Sequence, residues 1–210
     1  MKTLEGDRGI EWGWARENLP SFGQGRIVLD VGPMDGFHLS MDAYGKGYEV
    51  VAVGLEDIKP PVPQIHYVRQ DILKTEFGFG FDYVLNVSTT EHIGLGLYGD
   101  PLGEDFDLLA MQRLRRWMRP DGDGIQILTV PVGIDAVVGH WHRVYGEKRL
   151  PRLLDGYAIL REAYWAKTAD NSQWVQVSKE VALEEPPGLV PEPSMLNLSY
   201  ALGGFILVGL

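Results

Sequence analysis

Five short apolar runs rich in valine and isoleucine, at 26–32, 48–57, 65–71, 81–88 and 125–133, recur along the first two thirds of the chain, with helix-compatible or loop segments between them. This alternation constrains the fold more than any other feature. A strand buried on both faces reads as a near-continuous apolar run rather than as alternating residues. Strands separated by helices cross over in a right-handed sense and build a parallel sheet with helices on its faces. Ligands of such sheets bind beyond the carboxyl ends of the strands, where the strand order reverses.

The intervening segments fit this scheme. "FHLSMDAYGKG" (37–47) has room for a helix, and "DFDLLAMQRLRRWM" (105–118) places Phe106, Leu109, Ala110, Leu114, Trp117 and Met118 at helical spacing. "EWGWARENLP" (11–20) predicts a short helix that acts as a lid or packs on the core, stopped at Pro20. A helix is expected in "GEKRLPRLLDG" (146–156), and strands in 157–167, 174–183 and 200–210. The later strands supply antiparallel pairing, and the C-terminal run is expected to complete the sheet rather than to pair across subunits. The proline-rich "EEPPGLVPEPS" (184–194) reads as a loop. At 210 residues the chain suits one domain: an N-terminal helix or lid over 1–25, a core over 26–133, and a substrate-side loop with C-terminal strands over 134–210.

Composition narrows the function. The formal net charge of −10 opposes binding to a phosphate backbone, and Arg113, Arg115, Arg116 and Arg119 read as the solvated face of one helix. The absence of cysteine removes disulfides, thiolate zinc sites and thiol nucleophiles. No apolar window is long enough to span a bilayer and no leader-like segment opens the chain, so a soluble, cytoplasmic protein is expected, with no nucleic-acid or membrane partner. Its oligomeric state is left open.

The first run ends "VLDVGPMDG": an acid, then a turn through Gly32, Pro33, Met34 and Gly36. The glycines let the backbone approach a ligand. A dinucleotide-binding G-x-G-x-x-G would need glycine at Met34 and Phe37, and the Asp30 carboxylate would repel a pyrophosphate. A ligand carrying an amine and a sulfonium gains from such an acid.

With Asp30, Gly32 and Gly36 in these places, the sequence resembles the class I, Rossmann-like S-adenosylmethionine-dependent methyltransferases over roughly residues 26–145. Met34 departs from the family's pattern, which has glycine there, and implies a remodelled methionine pocket. The resemblance implies an α/β fold with a mostly parallel seven-stranded sheet flanked by helices and antiparallel C-terminal strands. It further implies S-adenosyl-L-methionine as cofactor, held at Asp30, Gly32, Pro33, Met34 and Gly36. Glu56, or alternatively Asp57, would bond the ribose; Asp71 with Ile72 would lie at the adenine; and Asn86, Val87 and Ser88 open the segment lining cofactor and substrate.

Methyl transfer asks the protein to align a nucleophile and remove its proton, a task for histidine at neutral pH. Two loops after strands supply candidates: 88–101 with Glu91, His92, Tyr98 and Asp100, and 137–149 with His140, His142, Arg143 and Tyr145. The expected general base is His92 or His142, oriented by Glu91 or Asp100. Arg143 is expected to clamp an anionic substrate group, and Tyr145 to stand among the catalytic residues. A divalent metal on His92, Asp100, His140 and His142 is a second reading, but no helical His-x-x-x-His exists and no metal is assigned. Trp12, Trp14, Trp141 and Trp165 are candidates for a substrate cavity, with core packing the competing fate. His38 and His66 read as structural or exposed. The expected activity is methylation of a small molecule at an oxygen, such as the hydroxyl of a sugar or a similar compound. The rivals are an NAD(P)-dependent oxidoreductase and a non-catalytic protein that keeps the fold as a scaffold.

Overall fold

In β1 (Ile27–Val31), Leu29 and Val31 enter one apolar cluster while Val28 enters another, so the strand is buried on both sides. This is why the run carries no polar alternation. The computed structural model describes residues 7–120, 123–168, 173–187 and 200–210. In chain order, α1 (Arg8–Asn18) precedes β1, and α2 (His38–Gly45), β2 (Glu49–Gly54), β3 (Ile65–Arg69) and β4 (Tyr83–Val87) follow it. Then come α3 (Phe106–Trp117), β5 (Ile125–Val132) and a hairpin of β6 (Ala136–Val138) and β7 (His142–Val144). The chain continues through α4 (Arg149–Leu153), β8 (Tyr157–Lys167), β9 (Trp174–Val177), α5 (Lys179–Leu183) and β10 (Ala201–Gly209).

The main sheet has the order β3-β2-β1-β4-β5-β10-β8-β9. Strands β1 to β5 pair in parallel, and β10 runs antiparallel to both β5 and β8. The fold is therefore the expected Rossmann-like α/β one, with eight strands in place of seven. The strand expected over 174–183 is shorter than read: β9 is a four-residue edge, because Ser178 Oγ accepts from Val181 N at 3.4 Å and starts a helix. The C-terminal strand completes the sheet from inside it, between β5 and β8. Residues 188–194 of the proline-rich loop lie outside the described residues. No helix among the described residues is long and apolar enough to cross a membrane.

Strand order reverses between β1 and β4, which pair with Asp30 opposite Leu85. One side of the sheet carries the cluster that includes Trp14, Ala15, Leu39 and Ala43 of α1 and α2; the other carries Ala110, Met111 and Leu114 of α3. Gly204 of β10 makes the docking of α1 possible, since a Cβ there would stand 3.0 Å from both Trp14 Cε2 and Trp165 Cζ3. The two indoles meet edge to face, 5.5 Å between centroids, over that bare strand position.

Candidate functional site

The cleft opens at the carboxyl ends of β1, β2 and β4, where a ligand of this topology belongs. It holds about 1060 Å³ of empty space, its open mouth included. Asp30, Gly32, Pro33 and Met34 line it. Asp30 shares a face with Val28, toward α2, where Ser40 Oγ donates to its Oδ2 at 2.6 Å. Burial pushes this carboxyl up to about 6, so it still carries its charge at neutral pH.

The two glycines have different duties. Gly32 has φ +67, and a Cβ there would meet Thr89 Cγ2 at 2.5 Å, so its bareness admits the Thr89 side chain, whose Oγ1 donates to Val31 O at 2.8 Å. Gly36, at φ +85, does not line the cleft; its Cβ would approach His38 Nε2 at 3.2 Å. Phe37, which begins α2, takes φ +50 and is fully buried against Tyr67.

At the end of β2, Glu56 faces the cleft and is exposed, whereas Asp57 is turned to Arg69, 3.0 Å away. Beyond β3, Asp71 and Ile72 line the cleft and are buried. Asp71 Oδ1 accepts from Leu73 N at 2.9 Å, while its buried Oδ2 has no hydrogen-bond partner, the Lys74 ammonium standing 3.8 Å off. Val87 and Ser88 also line the cleft. Asn86 does not: its amide donates to Thr90 Oγ1 at 2.6 Å inside the core. Its predicted place at the cofactor is corrected to a structural one, because a polar side chain on the core face of β4 needs an internal partner.

The 88–101 segment brings His92, Tyr98 and Asp100 to the cleft. His92 Nδ1 is hydrogen-bonded to Trp141 O; a carbonyl only accepts, so Nδ1 carries a hydrogen, and in the neutral ring the lone pair is on Nε2. Glu91 Oε1 lies 3.7 Å from Nε2, and the Tyr98 ring meets the imidazole edge to face. Glu91 is buried, its carboxyl raised by that burial, and its Oε2 is unpartnered.

Four other predicted catalytic residues are consumed elsewhere. Asp100 accepts from Gly94 N at 2.6 Å, Gly96 N at 3.3 Å and Tyr98 N at 3.3 Å, so it folds its own loop and does not orient a histidine. Arg143 is buried and donates to the carbonyls of Ile93 (2.6 Å), Gly103 (3.1 Å), Glu104 (3.2 Å) and Glu91 (3.4 Å); it is a staple for the 91–104 segment, not a substrate clamp. Tyr145 is fully buried and donates to Asp107 Oδ2 at 3.0 Å. His142 is buried beside Tyr200 and does not line the cleft; burial pulls its imidazole down to about 4. His140 stacks on Trp141, and no group of three metal-ligating side chains occurs among the described residues.

Residues that sequence reasoning missed come from α1, α2 and the neighbours of predicted positions. Arg8 joins Trp12 in the cleft wall, one helical turn apart on the same face of α1, a spacing visible in the sequence. Arg8 pairs with the buried Glu11 at 3.0 Å, and Glu11 Oε1 contacts Ser88 Oγ, which ties α1 to the end of β4. His38 is exposed, as expected, and also lines the cleft, with its ring 4.8 Å from that of Trp12. Gln70 and Thr89 complete the list of additions that bear on the site. Trp14 and Trp165 are core, as the docking of α1 requires.

A protein family described as "Caenorhabditis protein of unknown function, DUF268" matches residues 58–184, more than half of the chain. The chain belongs to this family. The DUF268 match spans β3 to α5 and so contains Asp71, Glu91 and His92, but not Asp30 or Glu56. No curated protein matches the chain.

Solved structures share the fold of this DUF268 member. The 1,6-didemethyltoxoflavin-N1-methyltransferase of Burkholderia thailandensis, solved with 1,6-didemethyltoxoflavin and S-adenosylhomocysteine, has a TM-score of 0.60 at 17% identity, over 96% of this chain and 80% of that one. The N-methyltransferase NodS of Bradyrhizobium japonicum WM9 with S-adenosylhomocysteine has a TM-score of 0.59 at 12% identity, over 97% and 87%. An S-adenosylmethionine-dependent methyltransferase of Clostridium acetobutylicum gives 0.54 at 13%, over 100% and 93%. The fold is that of the class I S-adenosylmethionine-dependent methyltransferases.

Proposed function

We propose that this chain is an S-adenosylmethionine-dependent methyltransferase acting on a small molecule, with a hydroxyl group of a sugar or similar compound as acceptor. The observation that carries the reading is the set of acids at three successive strand ends, Asp30, Glu56 and Asp71, around one cleft at the switch in strand order. The donor's chemistry fits this set. Its cationic half suits the charged Asp30, a vicinal diol suits the two oxygens of Glu56, and an exocyclic amine suits the unpartnered Asp71 Oδ2. A pyrophosphate gains nothing from these acids, which disfavours a nicotinamide cofactor.

When bound, S-adenosylmethionine supplies a methyl group on a sulfonium that leaves as a neutral thioether. The chain's own part is alignment and proton removal. His92 Nε2, its tautomer fixed by Trp141 O, accepts the acceptor's hydroxyl proton, and the Glu91 carboxyl 3.7 Å away favours the imidazolium that forms. The α1 side chains Arg8 and Trp12 form part of the cleft wall. Calorimetric titration with S-adenosylhomocysteine and with NADH tests the reading: binding of the first and not the second is expected, and binding of NADH alone overturns it. The names of two fold relatives favour a nitrogen acceptor instead, and the mass spectrum of a fragmented product distinguishes an O-methyl from an N-methyl group.

A further inference from the structure

The cleft also specifies what the acceptor lacks. Among the described residues lining it, four are acidic, Asp30, Glu56, Asp71 and Asp100, and a single one, Arg8, is a permanent cation. Arg8 is held by Glu11 at 3.0 Å. Arg143, the other arginine near the acceptor loop, is buried under the carbonyls of that loop and cannot turn to a ligand without unfolding it. His92 Nδ1 is bound to Trp141 O, which in the neutral ring leaves Nε2 as a lone-pair acceptor facing Glu91. A phosphate or carboxylate entering beside a bound donor meets the Asp100 carboxylate and finds Arg8 already paired with Glu11, His38 being the one other basic side chain besides His92 among the described lining residues.

The cleft mouth presents apolar surface instead. Met34 and Tyr98 line it and are about half exposed, at 46% and 50%, in a chain whose buried core takes most large apolar side chains. Tyr98 offers a ring face beside His92, held there by the Asp100 contact to its amide at 3.3 Å. Apolar walls with a few convergent polar groups are the usual architecture of a small-molecule pocket.

We propose that the methyl acceptor is a compact ring compound bearing hydroxyl or amine groups and no anionic group, its ring lying against Met34 and Tyr98, which excludes phosphorylated, nucleotide-activated and carboxylated acceptors. This rests on the methyltransferase reading. The test uses the full chain saturated with S-adenosylhomocysteine and matched probes: catechol against 3,4-dihydroxybenzoate, methyl glucoside against its 6-phosphate, and tyramine against tyrosine O-phosphate. Binding is read by titration calorimetry. In at least one pair the member without the anionic group is expected to bind ten times more tightly than its anionic partner, on the order of one charge pair's discrimination.

Equal or tighter binding of the anionic members, or no binding by any probe, overturns the proposal. If anionic members bind and Arg8→Gln abolishes that binding, Arg8 is an anion anchor and the inference fails for that reason. Failure of the underlying reading looks different, because S-adenosylhomocysteine itself would then not bind.

Discussion

His92, in the segment after β4, and His142, which opens β7, illustrate how two histidines acquire opposite fates. The first keeps Nε2 at the cleft with its other nitrogen tied to a carbonyl; the second is sealed beside Tyr200 and pulled down to about 4. We expect His92→Ala to lower methyl transfer by roughly 10²- to 10⁴-fold, the usual worth of a general base, with S-adenosylhomocysteine affinity unchanged. His142→Ala should leave turnover near that of the parent, and a comparable loss in both variants would count against the assignment. Arg143 makes a separate prediction. Arg143→Met removes the staple and leaves the carbonyls of Ile93, Gly103 and Glu104 without their donor, while Asp107 keeps Arg149 at 2.6 Å and Tyr145 at 3.0 Å, so stability should fall by about 1–3 kcal/mol in urea denaturation. A variant that merely loses an anion clamp would keep its stability. The contrast explains what was legible at this scale. Asp30, Glu56 and Asp71 sit where strand ends hold them, and the sequence rhythm finds strand ends. Asp100 sits in a loop and Arg143 and Tyr145 in and just after the short strand β7, where the choice between facing a ligand and satisfying a distant carbonyl or carboxylate depends on partners up to 52 positions away.

The strand elements were legible because each of β1 to β5 is a mostly apolar run with turn residues after it. The break at Ser178 was not, since "WVQVSKEVAL" reads equally as one strand until the capping serine is seen to accept from Val181 N. Nor does α1 announce its partner: its lid-like character comes from Arg8 and Trp12, but its seat is Gly204, nearly two hundred positions along the chain. Gly204→Val would push against Trp14 and Trp165 and tilt the helix. Overpacking of this kind costs about 1–3 kcal/mol. Because α1 carries two residues of the cleft wall and is joined to Ser88 through Glu11, the same variant should weaken S-adenosylhomocysteine binding, although position 204 does not line the cleft. Titration of the folded variant checks this, and unchanged affinity would detach α1 from the site.

Over the whole molecule, several ionisable groups are buried against their charge. Burial raises the carboxyls of Glu11, Asp30 and Glu91, Asp30 to about 6. For a group raised on folding, the stabilisation is complete below its unfolded value and disappears as pH rises through the folded one. For Asp30 that window runs from 3.8 to about 6, and the amount is about 3 kcal/mol. His142 acts in the opposite sense, its stabilisation present above 6.5 and lost as pH falls through about 4. Asp30 therefore adds stability as pH falls from about 6 toward 3.8, so on acidification through that window the urea midpoint of Asp30→Asn should drop relative to the parent's, while donor binding weakens. Parent and variant midpoints that stay a constant distance apart across that window contradict this. One feature of the sheet reaches beyond the finished molecule. Because β10 lies between β5 and β8 yet follows both in the chain, a ribosome delivers the β8–β9 pair before there is anything for it to join. The nascent protein must hold an open, apolar flank at β5 until residues 201–209 thread into the gap, so its most aggregation-prone moment comes late in synthesis, and chaperones should meet it there.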